Sequence, residues 1–286
     1  MTQDKLFRTF STTIVWFWLS VFALVPSFLL FMTSLLVHGD SELVRLQFTV
    51  DNYLQLFNAN YLRVFLRSFL LAGACTVGCL LLAYPFSYLI ARSADRYKGI
   101  LLLLVVIPFW TSSLIRSYAI VAILKTHGIL NTFLLWVGII DTPIQMLYTD
   151  TATLIGLIYT LLPLMILPLY ASIEKLDTRL IDAACDLGAN KIQVLLKILL
   201  PLTLPGILSG CVLVFLPAMT IFYIPDLLGG AKTLLIGNII QSQFLAARNW
   251  PMGATISVAL TLLMSMMLFI YWRCYKHKKE PMYESY

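Results

Sequence analysis

Residues 177–201 read DTRLIDAACDLGANKIQVLLKILLP, a polar stretch in a chain that is otherwise strongly apolar. Asp177 is expected to cap a first short helix, and Asn190, with Gln193 three positions later, is expected to cap a second. Gly188 lies between them and can adopt the left-handed conformation that often ends a helix. The stretch therefore predicts a helix-turn-helix made of two short helices at an angle.

The small residues of this stretch indicate a contact with another protein. Ala183 and Ala184 follow Asp182 on the first helix, and their small side chains let its backbone lie close to a partner's surface. Pro201 is expected to close the segment, because proline cannot continue a helix interior. The alternative interpretation is an ordinary amphipathic hairpin between two membrane helices.

The composition is that of a membrane protein. Hydrophobic residues make up 60% of the 286 positions and charged residues only 12%, whereas a soluble domain carries about 25% charged residues. A helix needs roughly 20 apolar residues to cross the hydrocarbon layer. We therefore predict an all-α polytopic protein with one domain over residues 1–286 and with six spans, at about residues 12–36, 67–91, 99–123, 151–173, 204–225 and 251–272.

Three apolar segments need separate interpretation. Residues 126–140 are uncharged but too short for a span, and we interpret them as an interfacial or re-entrant piece on the outer side. The first apolar run is too long for the core of a signal peptide and is expected to remain as an anchor. In the fifth span, Gly206 and Gly210 form a small-xxx-small pair that predicts close helix contact.

The orientation follows from the basic residues in the loops, since the cytoplasmic side carries the excess. With the N-terminus inside, 13 of the 20 Lys and Arg residues lie on the cytoplasmic side and 6 outside, with Arg116 within a span. Both termini are therefore predicted to be cytoplasmic, as is the loop at residues 174–201. The formal charge of +6 is accounted for by this topology and indicates no nucleic-acid partner.

The sequence contains no motif for catalysis or nucleotide binding. The nearest approach to a phosphate-binding loop is GGAKT at residues 229–233, which lacks the first glycine of that motif and has Ala231 in place of the second. None of the three histidines shares a predicted helix with a second histidine or with a carboxylate at ligand spacing. The five cysteines are scattered and predict neither disulfides nor a metal site. We therefore expect no enzyme activity and no cofactor in this chain.

The spacing from Asp182 through Gly188 to Pro201 resembles the EAA loop of ABC-importer permeases, which docks on a cytoplasmic ATPase. Asp182 stands where that pattern has Glu. We call residues 174–201 the coupling loop. This resemblance implies that a separate subunit hydrolyses ATP.

Further segments resemble one family over nearly the whole chain, the spermidine/putrescine (PotB-type) permeases of the polyamine ABC importers. These segments are PFWTSSLIR at 108–116, LPLYASIEKLD at 167–177, DLLGGAK at 226–232 and NWP at 249–251. The resemblance implies a type I ABC importer permease fold in the bacterial inner membrane. It also implies three kinds of partner: a second, PotC-type permease, two copies of a cytoplasmic ATPase, and a periplasmic polyamine-binding protein.

A polyamine carries several ammonium groups joined by methylenes, so its pathway needs carboxylates for charge and aromatic faces for cation-π contact. The candidate pathway residues are Asp226, Tyr223, Trp110, Tyr118, Tyr53 and Tyr271. The alternative is that the tyrosines are interfacial anchors, that the tryptophan packs, and that the aspartate is solvated. Arg116 would repel a polycation and is expected to pair with a carboxylate or a carbonyl.

Two other functions remain open on the sequence alone. One is an ABC importer permease for another small solute. The other is an ion-coupled secondary carrier, although such carriers tend to place ionisable residues in mid-span and only Arg116 lies there.

Overall fold

The computed structural model describes residues 2–39, 43–230 and 233–279, and most of them are helical. The helices are α1 (Thr2–Leu19), α2 (Val25–Ser34), α3 (Asp51–Leu56), α4 (Ala59–Arg92), α5 (Asp95–Val106), α6 (Ser113–Leu124), α7 (Ile129–Val137), α8 (Asp150–Glu174), α9 (Arg179–Asp186), α10 (Lys191–Val194), α11 (Leu200–Thr220), α12 (Ile236–Leu245) and α13 (Trp250–Lys279). The sequence did not predict the short antiparallel hairpin of β1 (Leu36–Val37) and β2 (Arg45–Phe48).

Six helical stretches within the described residues are long and apolar enough to cross a membrane, which confirms the predicted number. They are Phe10–Ser34, Ala59–Arg92, Ser113–Val137, Asp150–Glu174, Lys191–Thr220 and Trp250–Phe269.

The third stretch differs most from the sequence prediction of 99–123. Helix α5 ends at Val106, a 3-10 turn follows at Ile107–Trp110, and α6 begins at Ser113. Pro108 lies in this turn, where its missing N–H and its ring disfavour a continuous α-helix. The uncharged piece predicted to be interfacial or re-entrant, 126–140, contains α7, and the apolar stretch found here runs through α6 and α7.

The described residues contain three π-helical segments: Ser20–Leu24 and Leu195–Leu199 lie within long helices, and Pro225–Gly229 follows the break after α11. Each contains a proline or precedes one by at most two residues. A proline ring needs room beside the preceding turn, and the extra residue of a π turn widens the helix there. Pro201 therefore lies in the first turn of α11, and the prediction that it closes the segment is wrong. Helix α11 ends at Thr220, before the predicted end of the fifth span at residue 225.

The chain divides into two compact units, residues 1–62 with 239–266 and residues 63–238 with 267–286. In the first unit, buried polar side chains satisfy the backbone at the end of α2. Asn52 Nδ2 donates to the carbonyls of Ser34 at 3.2 Å and Leu36 at 2.9 Å, and Thr255 Oγ1 donates to the Ser34 carbonyl at 3.1 Å. These bonds fasten α2 to α3 and α13 inside this unit.

Helix α8 is the most buried span of the second unit, and α11 packs along it. A Cβ atom on Gly206 would lie 2.4 Å from Ser172 Cβ and 2.8 Å from the Pro168 carbonyl oxygen. A Cβ atom on Gly210 would lie 2.5 Å from Met165 Sδ. The predicted small-xxx-small contact is therefore confirmed, and it brings α11 against the backbone of α8.

An ion pair joins the start of α5 to the end of α8, at the first residue of the coupling loop. Lys98 Nζ lies 2.8 Å from Asp95 Oδ1 and 3.5 Å from Glu174 Oε1. The hydrogen bond from Lys98 lowers the pKa of Asp95 below its ordinary value.

We predict that Gly206→Leu destabilises the fold by about 1–3 kcal/mol, because the larger side chain must push α11 away from α8. Thermal unfolding of the purified chain in detergent measures the effect. Gly73→Leu is the matched control, since nothing lies within 4 Å of a Cβ atom at Gly73. Equal unfolding temperatures for the two variants would contradict the prediction.

Candidate functional site

The coupling loop folds as the predicted helix-turn-helix, formed by α9 and α10. Asn190 Oδ1 accepts the Gln193 N–H at 2.8 Å, and Gln193 Oε1 accepts the Asn190 N–H at 2.9 Å. This reciprocal pair is a capping box, and it confirms Asn190 as the second N-cap. At the first helix the N-cap position belongs to Thr178, while the Asp177 carboxylate accepts the Arg179 N–H at 2.9 Å.

Gly188 adopts the left-handed conformation that the sequence predicted, with φ of +83°. The Ala189 N–H donates to the Ala184 carbonyl at 3.0 Å, and the Gly188 N–H donates to the Cys185 carbonyl at 2.9 Å. These two bonds form a Schellman motif, which satisfies the last carbonyls of α9. The turn between the two short helices is therefore fixed by its own backbone.

The two alanines of the loop have different surroundings. Ala184 is buried in a small apolar cluster with Val194 and Leu199, and the side chains of Leu176 and Ile181 pack against this cluster. Ala183 and Asp182 are exposed. Ala184 thus packs α9 against α10, whereas Ala183 lies on the exposed face of the loop, where a partner can approach.

Beside this turn lies a surface depression of about 310 Å³. It is lined by Leu187, Gly188, Ala189, Gln193, Lys197 and Ile198. Leu187 is 89% exposed and Ile192 on α10 is 67% exposed, so apolar side chains project from a polar loop. Nothing lies within 4 Å of a Cβ atom at Gly188, which leaves the floor of the depression open. An exposed apolar patch of this kind is typical of a docking surface.

The chain between α11 and α12 holds the second group of predicted site residues. Ile221 is extended after the end of α11 and is followed by the π turn at Pro225–Gly229, so the helix is broken here as the sequence predicted. Asp226 is exposed and Tyr223 is half-buried, one turn apart. The rings of Phe222 and Tyr223 meet edge to face, with centroids 6.1 Å apart. A carboxylate and two aromatic rings therefore share one short segment.

The sequence prediction missed Asn238, which is 5% exposed near the start of α12. Its Nδ2 donates to the Phe222 carbonyl at 2.9 Å and to Asp226 Oδ1. An amide in an otherwise apolar run, TLLIGNII at 233–240, was the available signal. A buried polar side chain in such a run needs partners, and here they come from the broken helix.

The turn at Pro108 and helix α6 carry three more residues singled out from the sequence. Trp110 is 77% exposed and Tyr118 is 60% exposed. Arg116 was expected to pair with a carboxylate or a carbonyl, but its guanidinium lies over the ring of Phe109, 5.5 Å from the centroid. Its Nε and Nη1 atoms are buried without a hydrogen-bond partner among the described residues.

The remaining two candidates lie elsewhere. Tyr53 belongs to the first unit, where its hydroxyl lies 2.7 Å from Ser34 Oγ. Tyr271 lies in α13, but its side chain falls outside the described residues. Of the six predicted pathway residues, the structure places only Asp226 and Tyr223 on one segment.

A matching family model covers residues 83–273 and is described as the binding-protein-dependent transport system inner membrane component. The chain belongs to this family. Members are transport permeases and not enzymes, and they are components of transport systems with other subunits. The chain is accordingly a multi-pass protein of the inner membrane.

Curated relatives in this family align with nearly the whole chain. The spermidine/putrescine transport system permease protein PotB of Salmonella typhimurium LT2 is 51% identical over 256 residues, which cover 90% of this chain and 89% of the relative. The protein of the same description from Escherichia coli K12 is 50% identical, with 90% and 93% covered. The one from Haemophilus influenzae is 48% identical over 270 residues, with 94% of each covered.

The fold is similar to that of solved ABC transporters. A chain of a bacterial alginate ABC transporter, crystallised with an alginate-bound periplasmic protein, matches with a TM-score of 0.74 and 17% identity. The match covers 94% of this chain and 93% of that chain. The predicted permease fold is therefore confirmed.

We predict that Asn190→Ala destabilises the coupling loop by about 1 kcal/mol, because the capping box is lost. Hydrogen exchange of the α10 amides in detergent measures this local stability. Thr178→Ala is the control, because the Thr178 side chain makes no capping hydrogen bond. If both variants exchange alike, the capping box contributes nothing measurable.

Proposed function

We propose that this chain is a transmembrane permease subunit of an ATP-driven ABC importer that moves the polyamines spermidine and putrescine into the cytoplasm. The observation that carries the proposal is 48–51% identity to PotB permeases over 90% or more of the chain. The broken helix adds chemical support, because Asp226, Phe222 and Tyr223 offer a carboxylate and aromatic faces to an ammonium group.

The partners that we propose are a second, PotC-type permease, two copies of a cytoplasmic ATPase and a periplasmic polyamine-binding protein. The apolar side chains of Leu187 and Ile192 support an ATPase docking surface on the coupling loop. The excess of basic residues supports a topology with this loop and both termini in the cytoplasm. ATP hydrolysis belongs to the ATPase in this proposal, since the chain has no phosphate-binding loop of its own.

One continuous rod connects the two candidate regions. The stretch Lys191–Thr220 is helical throughout, and at 1.5 Å per residue its 30 residues span roughly 45 Å. Its first turn carries the capping box of the coupling loop, and its last turn leads into the break before Asp226. We propose that ATPase closure moves this rod, and that the movement changes access to the broken segment.

The aromatic pathway candidates have different surroundings. Trp110 and Tyr118 have the exposed rings that a pathway wall needs. The Tyr53 hydroxyl is engaged with Ser34, so this residue contributes to packing in its own unit. Asp226 and Tyr223 are the residues that we place in contact with the cargo.

The direct test is uptake of labelled spermidine and putrescine into proteoliposomes that contain this chain with the second permease, the ATPase and the binding protein. We expect uptake only when ATP is enclosed with the ATPase and the loaded binding protein is outside. Uptake that an ion gradient drives without ATP would identify a secondary carrier instead. ATP-dependent uptake of a different solute alone would leave the transporter class standing and refute the polyamine assignment.

We predict that Gly188→Trp lowers co-purification of the ATPase at least about tenfold, because the indole covers the open depression and strains the left-handed turn. Affinity purification through the permease, with quantification of bound ATPase, measures this. Gly138→Trp is the matched control: Gly138 also ends a helix with positive φ, of 74°, and also faces open space. Normal ATPase recovery with Gly188→Trp would contradict docking at this turn.

A further inference from the structure

Asn238 uses its whole side chain to hold the broken helix. Its Nδ2 donates to the Phe222 carbonyl and to Asp226 Oδ1, and its Oδ1 accepts the Leu235 N–H at 3.2 Å. Two acceptors lie on one side of the Asn238 amide and one donor lies on the other. The nitrogen must face the two acceptors, so the orientation of the amide is determined. Both donors and the acceptor of this buried amide are therefore engaged.

The start of α12, from which Asn238 acts, is itself fixed to its neighbours. The Ile236 N–H donates to Ser68 Oγ of α4 at 2.8 Å, and Ser68 is fully buried. A Cβ atom on Gly237 would lie 2.3 Å from the Thr220 carbonyl oxygen, so the α12 backbone touches the end of α11. The backbone that carries the Asn238 amide is therefore fixed by its contacts with α4 and α11.

Asp226 gains a fixed orientation from this contact. A neutral amide holds Oδ1, and none of the described Lys or Arg side chains forms an ion pair with the carboxylate. Helix α6 packs against the π turn that carries Asp226, yet its Arg116 lies over Phe109. The exposed carboxylate remains available to an external cation.

We propose that Asn238 is a positioning residue for polyamine transport: it fixes the Asp226 carboxylate at the helix break so that the free oxygen receives an ammonium group of the cargo. This inference rests on the proposed function. A fixed carboxylate binds an ammonium more strongly than a mobile one, since less conformational freedom is lost on contact.

Asn131 shows what a purely structural asparagine looks like in the same chain. It is 1% exposed, its Nδ2 donates to the Ile144 carbonyl at 2.8 Å, and its Oδ1 accepts the Ile144 N–H at 3.1 Å. All of its partners are backbone atoms. Asn238 differs because one of its hydrogen bonds goes to an exposed, ionisable side chain.

The test is a double-mutant cycle in the complete complex, with ATP-driven spermidine uptake in proteoliposomes as the readout, normalised to assembled complex. We expect Asp226→Ala and Asn238→Ala each to lower the initial rate about tenfold, as expected for loss of one charge-assisted hydrogen bond in the pathway. The double variant should transport as Asp226→Ala does, to within about twofold, because Asn238 acts through Asp226. Asn131→Ala, as control, should transport at the normal rate per assembled complex.

Other outcomes overturn the inference. Asn238→Ala could lower the rate by the same factor in the wild-type and the Asp226→Ala backgrounds, or the variant could fail to assemble. Either result would mean that Asn238 stabilises the fold and does not position the carboxylate. If Asp226→Ala transports spermidine normally, this inference fails while the proposed function stands. A wild-type complex that takes up no polyamine would overturn the proposed function, and this inference with it.

Discussion

The constraint on which this structure depends is that backbone polar groups in an apolar layer must find partners within the protein. The chain meets it with long helices, and at two of the places where a helix ends, a buried side chain binds the backbone. At the end of α2, Asn52 and Thr255 donate hydrogen bonds to the buried Ser34 carbonyl. At the end of α11, Asn238 binds the Phe222 carbonyl. Irregular backbone therefore coincides with buried polar side chains, and the helix break near Asp226 is the clearest example.

The elements that the sequence predicts well are those decided by local chemistry. The capping box of Asn190 and Gln193 and the left-handed turn at Gly188 involve residues only a few positions apart, so their patterns are visible in the chain itself. The number of apolar stretches is equally local, because it depends on length and hydropathy. The close approach at Gly206 followed from the spacing of two small residues.

The features that the sequence did not predict depend on backbone geometry and on neighbours in three dimensions. A π turn before Pro201 lets the helix continue, and no property of Pro201 itself distinguishes a widened helix from a terminated one. Arg116 was expected to find an anionic partner, yet the ring that it covers lies in the neighbouring 3-10 turn. The partners of Asn238 are between 3 and 16 positions away, on the broken segment at Phe222 and Asp226 and at Leu235 just before α12. For the same reason the six pathway candidates could be chosen by chemistry but not grouped in space.

The first membrane stretch contributes almost no packing to the chain that carries it. From Phe10 to Thr33 no side chain is buried, and aromatic residues such as Trp16 and Trp18 are exposed around the whole helix. Its position in the bilayer is therefore set by its own transfer free energy from water to lipid, which about 20 apolar residues provide. The free energy that holds residues 10–33 in the membrane therefore comes from contact with lipid and not from burial against the other five spans.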